Sequence, residues 1–291
     1  MSPQPRTWSL IGSGAAGTAV AALLVRSGDR VAGIWSRRTR RAKAAKALIG
    51  QGRVFAKAED AAQAAPWLLI GVPDGAIVSV ILHLHRAGAL APGQTAIHLS
   101  GALPASVLKV RPGLRYGSLH PIQTLPTAEE GVALLPGAYV GVEGPSAILP
   151  ELEVIARDLG GIPVKVPSAG KPLYHAAMAM ASNHLTALAA ASAEMLVQAG
   201  FSRRQALASL QPLMRGTLEA LSRRGIPKAL TGPVARGDAG TLRAHRAALR
   251  DALPELLPLY NACARQALRL ARAKGLGAAR AREVERVLRS P

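Results

Sequence analysis

A glycine-rich turn near the start of the chain constrains the fold more than any other feature. Gly12, Gly14 and Gly17 follow an apolar segment at residues 8–11 and precede residues whose apolar positions repeat with helical spacing. In a strand–turn–helix unit the first glycine permits the tight turn and the third lets the helix pack closely on the strand. The turn therefore predicts an α/β fold with a Rossmann-type, doubly wound and mostly parallel sheet.

The same turn predicts a nucleotide site. The second glycine lets the backbone approach a pyrophosphate, and the unpaired amides at the start of the following helix attract the anion. We therefore expect the whole turn to bind a dinucleotide cofactor through Gly12, Ser13, Gly14, Ala15, Ala16 and Gly17.

The residues after the second predicted strand indicate which dinucleotide is bound. NAD sites usually place an acid there for the ribose 2′-hydroxyl, whereas this chain has Ser36, Arg37 and Arg38. Guanidinium groups match the geometry of a 2′-phosphate, so the sequence favours NADP(H). The four basic residues that follow are expected on the solvated face of the next helix: Arg40, Arg41, Lys43 and Lys46.

The rest of the chain divides into two parts. Short apolar runs alternate with helical patterns in the first half, with strands expected at residues 7–11, 31–35, 53–55, 67–72, 95–99, 115–119, 139–142 and 163–166. After Pro167 only helical patterns remain, at residues 171–199, 203–224, 239–252 and 254–274. We predict an NADP-binding domain at 1–167 and an all-helical substrate and dimerisation domain at 168–291.

Two further strand ends are expected to border the nicotinamide, because ligands of open parallel sheets lie at the carboxyl ends of the strands. Val72 and Pro73 follow one strand, and Ser100 follows the next. An ordinary strand-to-helix turn is the alternative at both positions, and we expect Asp74 to act as a helix N-cap.

Composition narrows the class of protein. With 49% apolar residues in 291, the chain can bury a large core, and its single cysteine, Cys263, favours a reducing, cytoplasmic location and is expected in the core. The start of the chain lacks a secretory pattern. Polar residues interrupt the apolar stretch 173–200 too often for a membrane span. A formal charge of +19 attracts polyanions, but only 3% of residues are aromatic, which disfavours a nucleic-acid platform.

Several motifs resemble one family over nearly the whole chain: the glycine turn, Ser36–Arg38, residues 118–124 (SLHPIQT), the helix from Lys171 to Asn183, and residues 231–238 (TGPVARGD). This is a bacterial Rossmann-like oxidoreductase family with a C-terminal helical domain of unknown function. It belongs to the superfamily of 6-phosphogluconate dehydrogenase, ketopantoate reductase and pyrroline-5-carboxylate reductase. The resemblance implies a homodimer formed by the helical domain and a substrate cleft between the domains.

A polar stripe on the helix from residue 171 suggests catalytic groups. Lys171, His175 and Ser182 recur with Met178 at helical spacing, and Asn183 lies beside them. Superfamily relatives use a lysine and an asparagine on this helix, which the resemblance carries onto Lys171 and Asn183 with imperfect spacing. Histidine titrates near neutrality, so His175 is our first choice for the proton donor, with Lys171 left open; the alternative for His175 is a core or interface residue.

Other candidates lie in loops and at strand ends. His120 precedes a proline, which holds it in extended chain at a strand end; we expect it to be a second acid or to orient the substrate, supported by Gln123. Thr231 is expected to contact substrate and Arg236 to clamp a carboxylate, although the segment also fits turn chemistry with Asp238 as an N-cap. His83 and His85 cannot face one ligand from a helix, so no metal site is predicted.

These patterns favour an NADP(H)-dependent oxidoreductase that transfers hydride to a small carbonyl or imine, such as a 2-oxo acid like ketopantoate. A non-catalytic NADP(H)-binding redox sensor and a deazaflavin:NADP oxidoreductase are the alternatives. Neither nucleic acid nor a membrane is an expected partner.

Overall fold

A computed structural model of the chain describes residues 4–289. The chain divides into two compact units, unit 1 at Met1–Ser182 and unit 2 at Asn183–Pro291. Residues 168–182, which were expected to begin the second domain, belong to the first compact unit. The domain boundary at 167/168 stays a prediction about the two functional parts.

The described residues of unit 1 form eight strands and seven α-helices. The strands are β1 Thr7–Ile11, β2 Arg30–Trp35, β3 Arg53–Val54, β4 Trp67–Ile70, β5 Thr95–His98, β6 Arg115–Pro121, β7 Tyr139–Glu143 and β8 Ile162–Lys165. The helices are α1 Ala15–Arg26, α2 Thr39–Ile49, α3 Ala58–Gln63, α4 Asp74–Arg86, α5 Ala128–Leu134, α6 Leu149–Asp158 and α7 Lys171–Ala181. Short 3-10 helices lie at Ala105–Leu108 and Ser168–Gly170.

The strands form one sheet in the order β3-β2-β1-β4-β5-β6-β7-β8. Every pair is parallel except β6 and β7, which run antiparallel. The predicted doubly wound, mostly parallel sheet is confirmed. The strand order reverses beside β1, and in such sheets this switch point is where ligands bind.

Apolar residues cover both faces of the sheet. One core cluster joins α1, α2 and α6 to the strands through side chains such as Leu24 and Leu152, and the other joins α3 and α4 through side chains such as Ile77 and Ile81. The central strands are mostly apolar because both of their faces are buried. In β4, for example, Leu68, Leu69 and Ile70 are each at most 1% exposed.

Unit 2 is helical throughout its described residues, as expected for the second half. Its helices are α8 Asn183–Gln198, α9 Arg203–Arg224, α10 Gly232–Arg236, α11 Ala239–Ala252, α12 Leu257–Ala273 and α13 Ala278–Arg289, with a 3-10 helix at Pro254–Leu256. Helices α10 to α13 share a core that includes Leu242, Leu268 and Val284. Helices α8 and α9 pack on each other.

Several details differ from the sequence predictions. The expected helix 171–199 is two helices, because Ser182 adopts φ −119° and ψ −75° and ends α7. Helix α13 was missed, although Ala281, Val284 and Val287 repeat at the spacing of an apolar face. Cys263, expected in the core, is exposed because it lies on the outer side of α12.

Among residues 4–289, no helix combines the length and the apolar character that crossing a membrane would demand.

Candidate functional site

A cavity of about 320 Å³ lies at the switch point of the sheet, beyond the carboxyl ends of β1, β2 and β4. It is lined by the glycine turn, by the residues after β2, by the residues after β4 and by the start of α4. The lining residues are Gly12, Ser13, Gly14, Trp35, Ser36, Arg37, Arg38, Arg41, Gly71, Val72, Pro73, Ala76, Ser79 and Val80. The predicted cofactor residues from three separate segments therefore share one cavity.

The glycines of the turn are required by close backbone packing. Gly12 has a φ of +95°, and a Cβ on it would lie 2.4 Å from Cγ1 of Val72. A Cβ on Gly17 would lie 3.0 Å from the carbonyl oxygen of Gly12 and 3.0 Å from Cα of Gly71. The turn is thus pressed directly against the backbone after β4, and side chains at these positions would separate the two segments.

The turn fits the pyrophosphate of a dinucleotide. Gly14 is the N-cap of α1, no side chain caps this helix, and its first turn contains no acidic residue. The helix N-terminus therefore offers amides and a positive dipole end to an anion. The Oγ of Ser13 is buried and has no hydrogen-bond partner among the described residues, so it is available to a ligand oxygen.

The other end of the cavity is basic. Arg37 and Arg38 line it together with Ser36, and no acidic residue stands between the end of β2 and α2. Arg41, expected on the solvated face of α2, is exposed and also lines the cavity. Arg41 is the third residue of α2, so its side chain lies near the residues that precede the helix.

A hydrogen bond links the segment after β4, which borders the cavity, to the segment after β5. The Oγ of Ser100 donates to Oδ2 of Asp74 at 2.7 Å and accepts from the amides of Ala102 and Leu103. Asp74 is therefore not the N-cap of α4, which is Pro73; it is the first residue of the helix and uses its carboxylate on Ser100. The Ser100 hydroxyl holds its own loop, and a contact with the cofactor stays a prediction.

A buried lysine connects the ends of three strands. Lys171 is 2% exposed, and its Nζ donates to Oγ of Ser118 at 2.6 Å and to the carbonyl oxygen of Ser100 at 3.0 Å. Oε2 of Glu143 lies 3.6 Å from the same Nζ. Burial lowers the pKa of Lys171, and the carboxylate of Glu143 opposes that effect. The lysine side chain thus ties β5, β6 and β7 together beneath the site.

Glu143 is the counter-charge of this network. Its Oε2 accepts from the amide of Ala105 at 2.6 Å, and its Oε1 accepts from the hydroxyl of Ser168 at 2.6 Å. Glu143 is 6% exposed, so its charge depends on these donors and on Lys171. The network fixes the loops after β5 and β8 to the sheet.

Next to the lysine, the fully buried His98 holds the loop that follows β5. Its Nδ1 accepts from the amide of Ser100 at 3.1 Å, which leaves Nε2–H to donate to the carbonyl oxygen of Pro104 at 3.3 Å. Burial, with the positive charge of Lys171 second, lowers the pKa of His98 to about 4. His98 is therefore neutral at neutral pH.

Three aromatic side chains form a cluster above this network. His120 and Tyr174 meet edge to face, with Nδ1 of His120 and the hydroxyl oxygen of Tyr174 2.6 Å apart. The ring of His175 lies with its centroid 6.2 Å from that of His120. Burial, followed by the charges of His175 and Lys171, lowers the pKa of His120 to about 4, and burial raises the pKa of Tyr174 to about 12.

Of the four predicted catalytic residues, the structure brings together Lys171, His175 and His120 in unit 1. Asn183 begins α8 in unit 2 and stays a prediction. Gln123 is exposed and uses Oε1 to accept from the amide of Thr124. Thr231 lies in unit 2 as the N-cap of α10, a short helix where the sequence predicts a turn. Asp238 is confirmed as the N-cap of α11.

Sequence reasoning assigned no role to Glu143, His98 or Tyr174. Glu143 carried a usable signal, because it is the one charged residue at the end of an otherwise apolar strand, β7. His98 also stands in an apolar strand. The partners of Glu143 and Tyr174 lie 25 to 54 residues away along the chain, so no local pattern identifies these pairs, whereas His98 bonds to the loop that directly follows its strand.

Comparison with known families identifies both halves of the chain. Residues 3–121 match a Rossmann-like domain, and residues 138–267 match a domain of unknown function, DUF2520. The predicted combination of a Rossmann-like domain with a C-terminal domain of unknown function is confirmed. No curated protein matches the chain.

Solved structures share the fold. Protein TM1727 from Thermotoga maritima is 24% identical, with a TM-score of 0.74, and the match covers 92% of this chain and 99% of that one. BF3122 from Bacteroides fragilis, which bears the provisional name of an NADP oxidoreductase, is 20% identical with a TM-score of 0.73 over 90% and 98%. An imine reductase from Myxococcus stipitatus in complex with NADP+ is 14% identical, with a TM-score of 0.63 over 91% and 94%. At these identities the likeness establishes the fold.

Proposed function

We propose that this member of the family that joins a Rossmann-like domain to a DUF2520 domain is an NADP(H)-dependent oxidoreductase. Its substrate is a small carbonyl compound or imine, with 2-oxo acids such as ketopantoate among the candidates. The observation that carries the proposal is the cavity at the switch point, where an uncapped helix N-terminus and two arginines face one space. The names of the imine reductase and of BF3122 support the same class of reaction.

The preference for NADP(H) over NAD(H) follows from charge. Arg37 and Arg38 supply forked donors at the end of β2, where an acid would repel a 2′-phosphate. Neither residue has a carboxylate partner among the ion pairs of the described residues, so both guanidinium groups are available to a phosphate.

The reacting atoms belong beside the histidine cluster. The carboxyl ends of β4, β5 and β6 are neighbours in the sheet. The hydrogen bond between Asp74 and Ser100 joins the start of α4, beside the cavity, to the loop after β5, and Gly101 of that loop lies against His120. The bound reduced cofactor supplies the hydride. In our proposal His175 gives the proton and His120 orients the acceptor atom.

Lys171 is proposed to act through other residues. Its Nζ is buried and is shared among Ser100, Ser118 and Glu143, which leaves it in position to hold the site rather than to reach a substrate. We therefore assign it as a positioning residue. His175 is then preferred over Lys171 as proton donor.

The cofactor proposal is tested by replacing both arginines. In the Arg37→Ala/Arg38→Ala variant we expect NADPH to bind roughly 100-fold more weakly, because about 3 kcal/mol of charge-assisted hydrogen bonding is lost. NADH affinity should change less than about threefold. The matched control is Arg40→Ala/Lys43→Ala, which removes the same charge from exposed positions of α2 and should leave both affinities unchanged. Calorimetric titration measures the dissociation constants of both cofactors for the parent and the two variants, and equal losses for the two cofactors would refute the phosphate pocket.

The activity is tested by NADPH consumption with 2-oxo acids, cyclic imines and an oxidised deazaflavin. Turnover of a carbonyl or imine, lost in His175→Ala, supports the proposal. Turnover of the deazaflavin alone would replace the substrate class. Tight NADPH binding without turnover of any of them would favour the redox sensor.

A homodimer formed by the helical domain is part of the proposal. Exposed apolar side chains of unit 2 support it, among them Leu188, Leu207, Leu213 and Leu218. Light scattering of the purified chain gives the oligomeric state.

A further inference from the structure

We infer that Tyr174 fixes the tautomer of His120, so that a neutral imidazole presents its Nε2–H to the acceptor atom of the substrate. Tyr174 is thus a positioning residue, and His120 polarises the substrate as a hydrogen-bond donor instead of delivering a proton. The role of the Nε2–H rests on the proposed function. The tautomer itself does not, because it is a property of the free protein.

A glycine of the sheet makes room for the contact between Tyr174 and His120. The hydroxyl oxygen of Tyr174 lies 2.6 Å from Nδ1 of His120, in an edge-to-face pair with ring centroids 5.5 Å apart. A Cβ on Gly141 of β7 would lie 2.6 Å from that hydroxyl oxygen. Because β7 has a glycine there, the phenol can lie against the strand and reach the histidine on β6.

The direction of the hydrogen bond follows from the number of protons that the His120 ring and the Tyr174 hydroxyl carry. Burial and the neighbouring positive groups keep the pKa of His120 near 4, so the ring carries one proton at neutral pH. Burial raises the pKa of Tyr174 to about 12, so the phenol keeps its proton. The only hydrogen bond of that hydroxyl within the described residues is the one to His120. If Nδ1–H were the donor, the phenol proton of the half-buried Tyr174 would have no acceptor among the described residues, and an unpaired donor is costly to the extent that it is buried.

Donation by Tyr174 places the remaining ring proton on Nε2. Gly101 lies against that edge of the ring: a Cβ on Gly101 would lie 2.8 Å from Nε2 and 2.7 Å from Cε1 of His120, and 2.9 Å from Cδ2 of His175. Gly101 has an ordinary backbone conformation, since it is absent from the residues of positive φ. Its lack of a side chain therefore serves the two rings and not a turn.

A neutral imidazole suits this task. When the carbonyl carbon accepts the hydride, the π electron pair moves to the oxygen, and a donor aimed at that oxygen stabilises the developing charge. The oxygen then takes one proton from the imidazolium of His175, which gives an alcohol and neutral His175. His120 is neutral before and after the step, because its low pKa leaves it no second ring proton to deliver.

The test reads the tautomer directly. Long-range ¹H–¹⁵N correlation spectra of the full chain with ¹⁵N-labelled histidine distinguish protonated from unprotonated ring nitrogens, and a His120→Gln variant identifies the His120 signals among those of seven histidines. We expect a neutral ring with Nε2 protonated and Nδ1 accepting between pH 8 and pH 5. In Tyr174→Phe the signals should move toward a mixture of tautomers. Tyr139→Phe, which removes an exposed hydroxyl from the same strand as Gly141, should leave them unchanged.

Two outcomes overturn the inference: a protonated Nδ1 in the parent protein, or a Tyr174→Phe spectrum identical to the parent. Neither requires a substrate, so this failure is distinct from failure of the proposed function. Once a substrate is known, Tyr174→Phe should lower kcat about tenfold with an unchanged dissociation constant for NADPH. Gly101→Ala, whose methyl group would cover Nε2, should lower kcat at least as far with the same cofactor affinity.

Discussion

Replacing Lys171 by methionine tests the buried network on which the site is built. Methionine keeps most of the aliphatic stem and removes the ammonium, which is 2% exposed. Glu143, 6% exposed, would then retain two hydrogen-bond donors but no counter-charge. Breaking a buried ion pair from one side costs about 3–5 kcal/mol. That is a large share of the roughly 5–15 kcal/mol that stabilises a typical domain.

The assay can report on unit 1 alone. All three tryptophans of the chain, Trp8, Trp35 and Trp67, lie in that unit, so urea unfolding followed by tryptophan fluorescence measures its stability. With a denaturant slope of about 2–3 kcal/mol per M, the midpoint should fall by roughly 1.5 M. Calorimetric NADPH titration on the folded variant shows whether the switch-point cavity survives.

Two companion variants decide the cause. Lys165→Met removes an exposed lysine whose Nζ is 3.2 Å from Glu153, and it should cost less than about 0.5 kcal/mol. Adding Glu143→Gln to Lys171→Met removes the uncompensated charge and should recover about 1–3 kcal/mol. A loss below about 1 kcal/mol in Lys171→Met, or no recovery in the double variant, would refute the reasoning. A fully stable but inactive Lys171→Met would return Lys171 to the role of proton donor.

Two more predictions concern the turn and the buried histidine. Gly12→Ala should abolish measurable NADPH binding in a calorimetric titration and lower stability by about 2 kcal/mol or more, because its Cβ meets Val72 at a positive φ; unchanged affinity would contradict the close packing. His98 has a folded pKa of about 4 against 6.5 when unfolded, so the unfolded chain binds more protons between these values and stability falls as the pH falls through that window. From pH 7 to pH 5, protonation of His98 in the unfolded chain should lower the free energy of unfolding by about 2 kcal/mol. Over the same pH range the free energy of unfolding of His98→Gln, measured in the urea assay, should fall by about 2 kcal/mol less than that of the parent; equal decreases would show that His98 does not titrate abnormally.

Local patterns predicted the fold well. The eight strands lie within a few residues of their expected positions, because most are short apolar runs bounded by turn residues and the central ones are buried on both faces. The glycine turn was predictable for the same reason: strand, turn and helix are consecutive in sequence. Helix α13 shows the limit, since its many charged residues obscured a regular apolar face.

The candidate site was predictable only in part. Ser36, Arg37 and Arg38 follow a strand directly, so their place at the cavity could be inferred from chain order. Lys171 was singled out for its helical stripe, yet its partners, Ser118 and Glu143, are 53 and 28 residues away by sequence number. Such pairs arise from strand order, which brings the ends of β5, β6 and β7 together.

The sequence by itself therefore determined the parallel sheet, the nucleotide turn and the basic residues that favour NADP(H), because each depends on neighbours along the chain. Only the tertiary structure decided that Lys171 is enclosed by Ser100, Ser118 and Glu143, and that His120 meets Tyr174 at 2.6 Å. The physical reason is desolvation. Burial lowers the pKa of Lys171 and of His120 and raises the pKa of Tyr174, and burial is a property of the packed sheet and helices that no single segment carries.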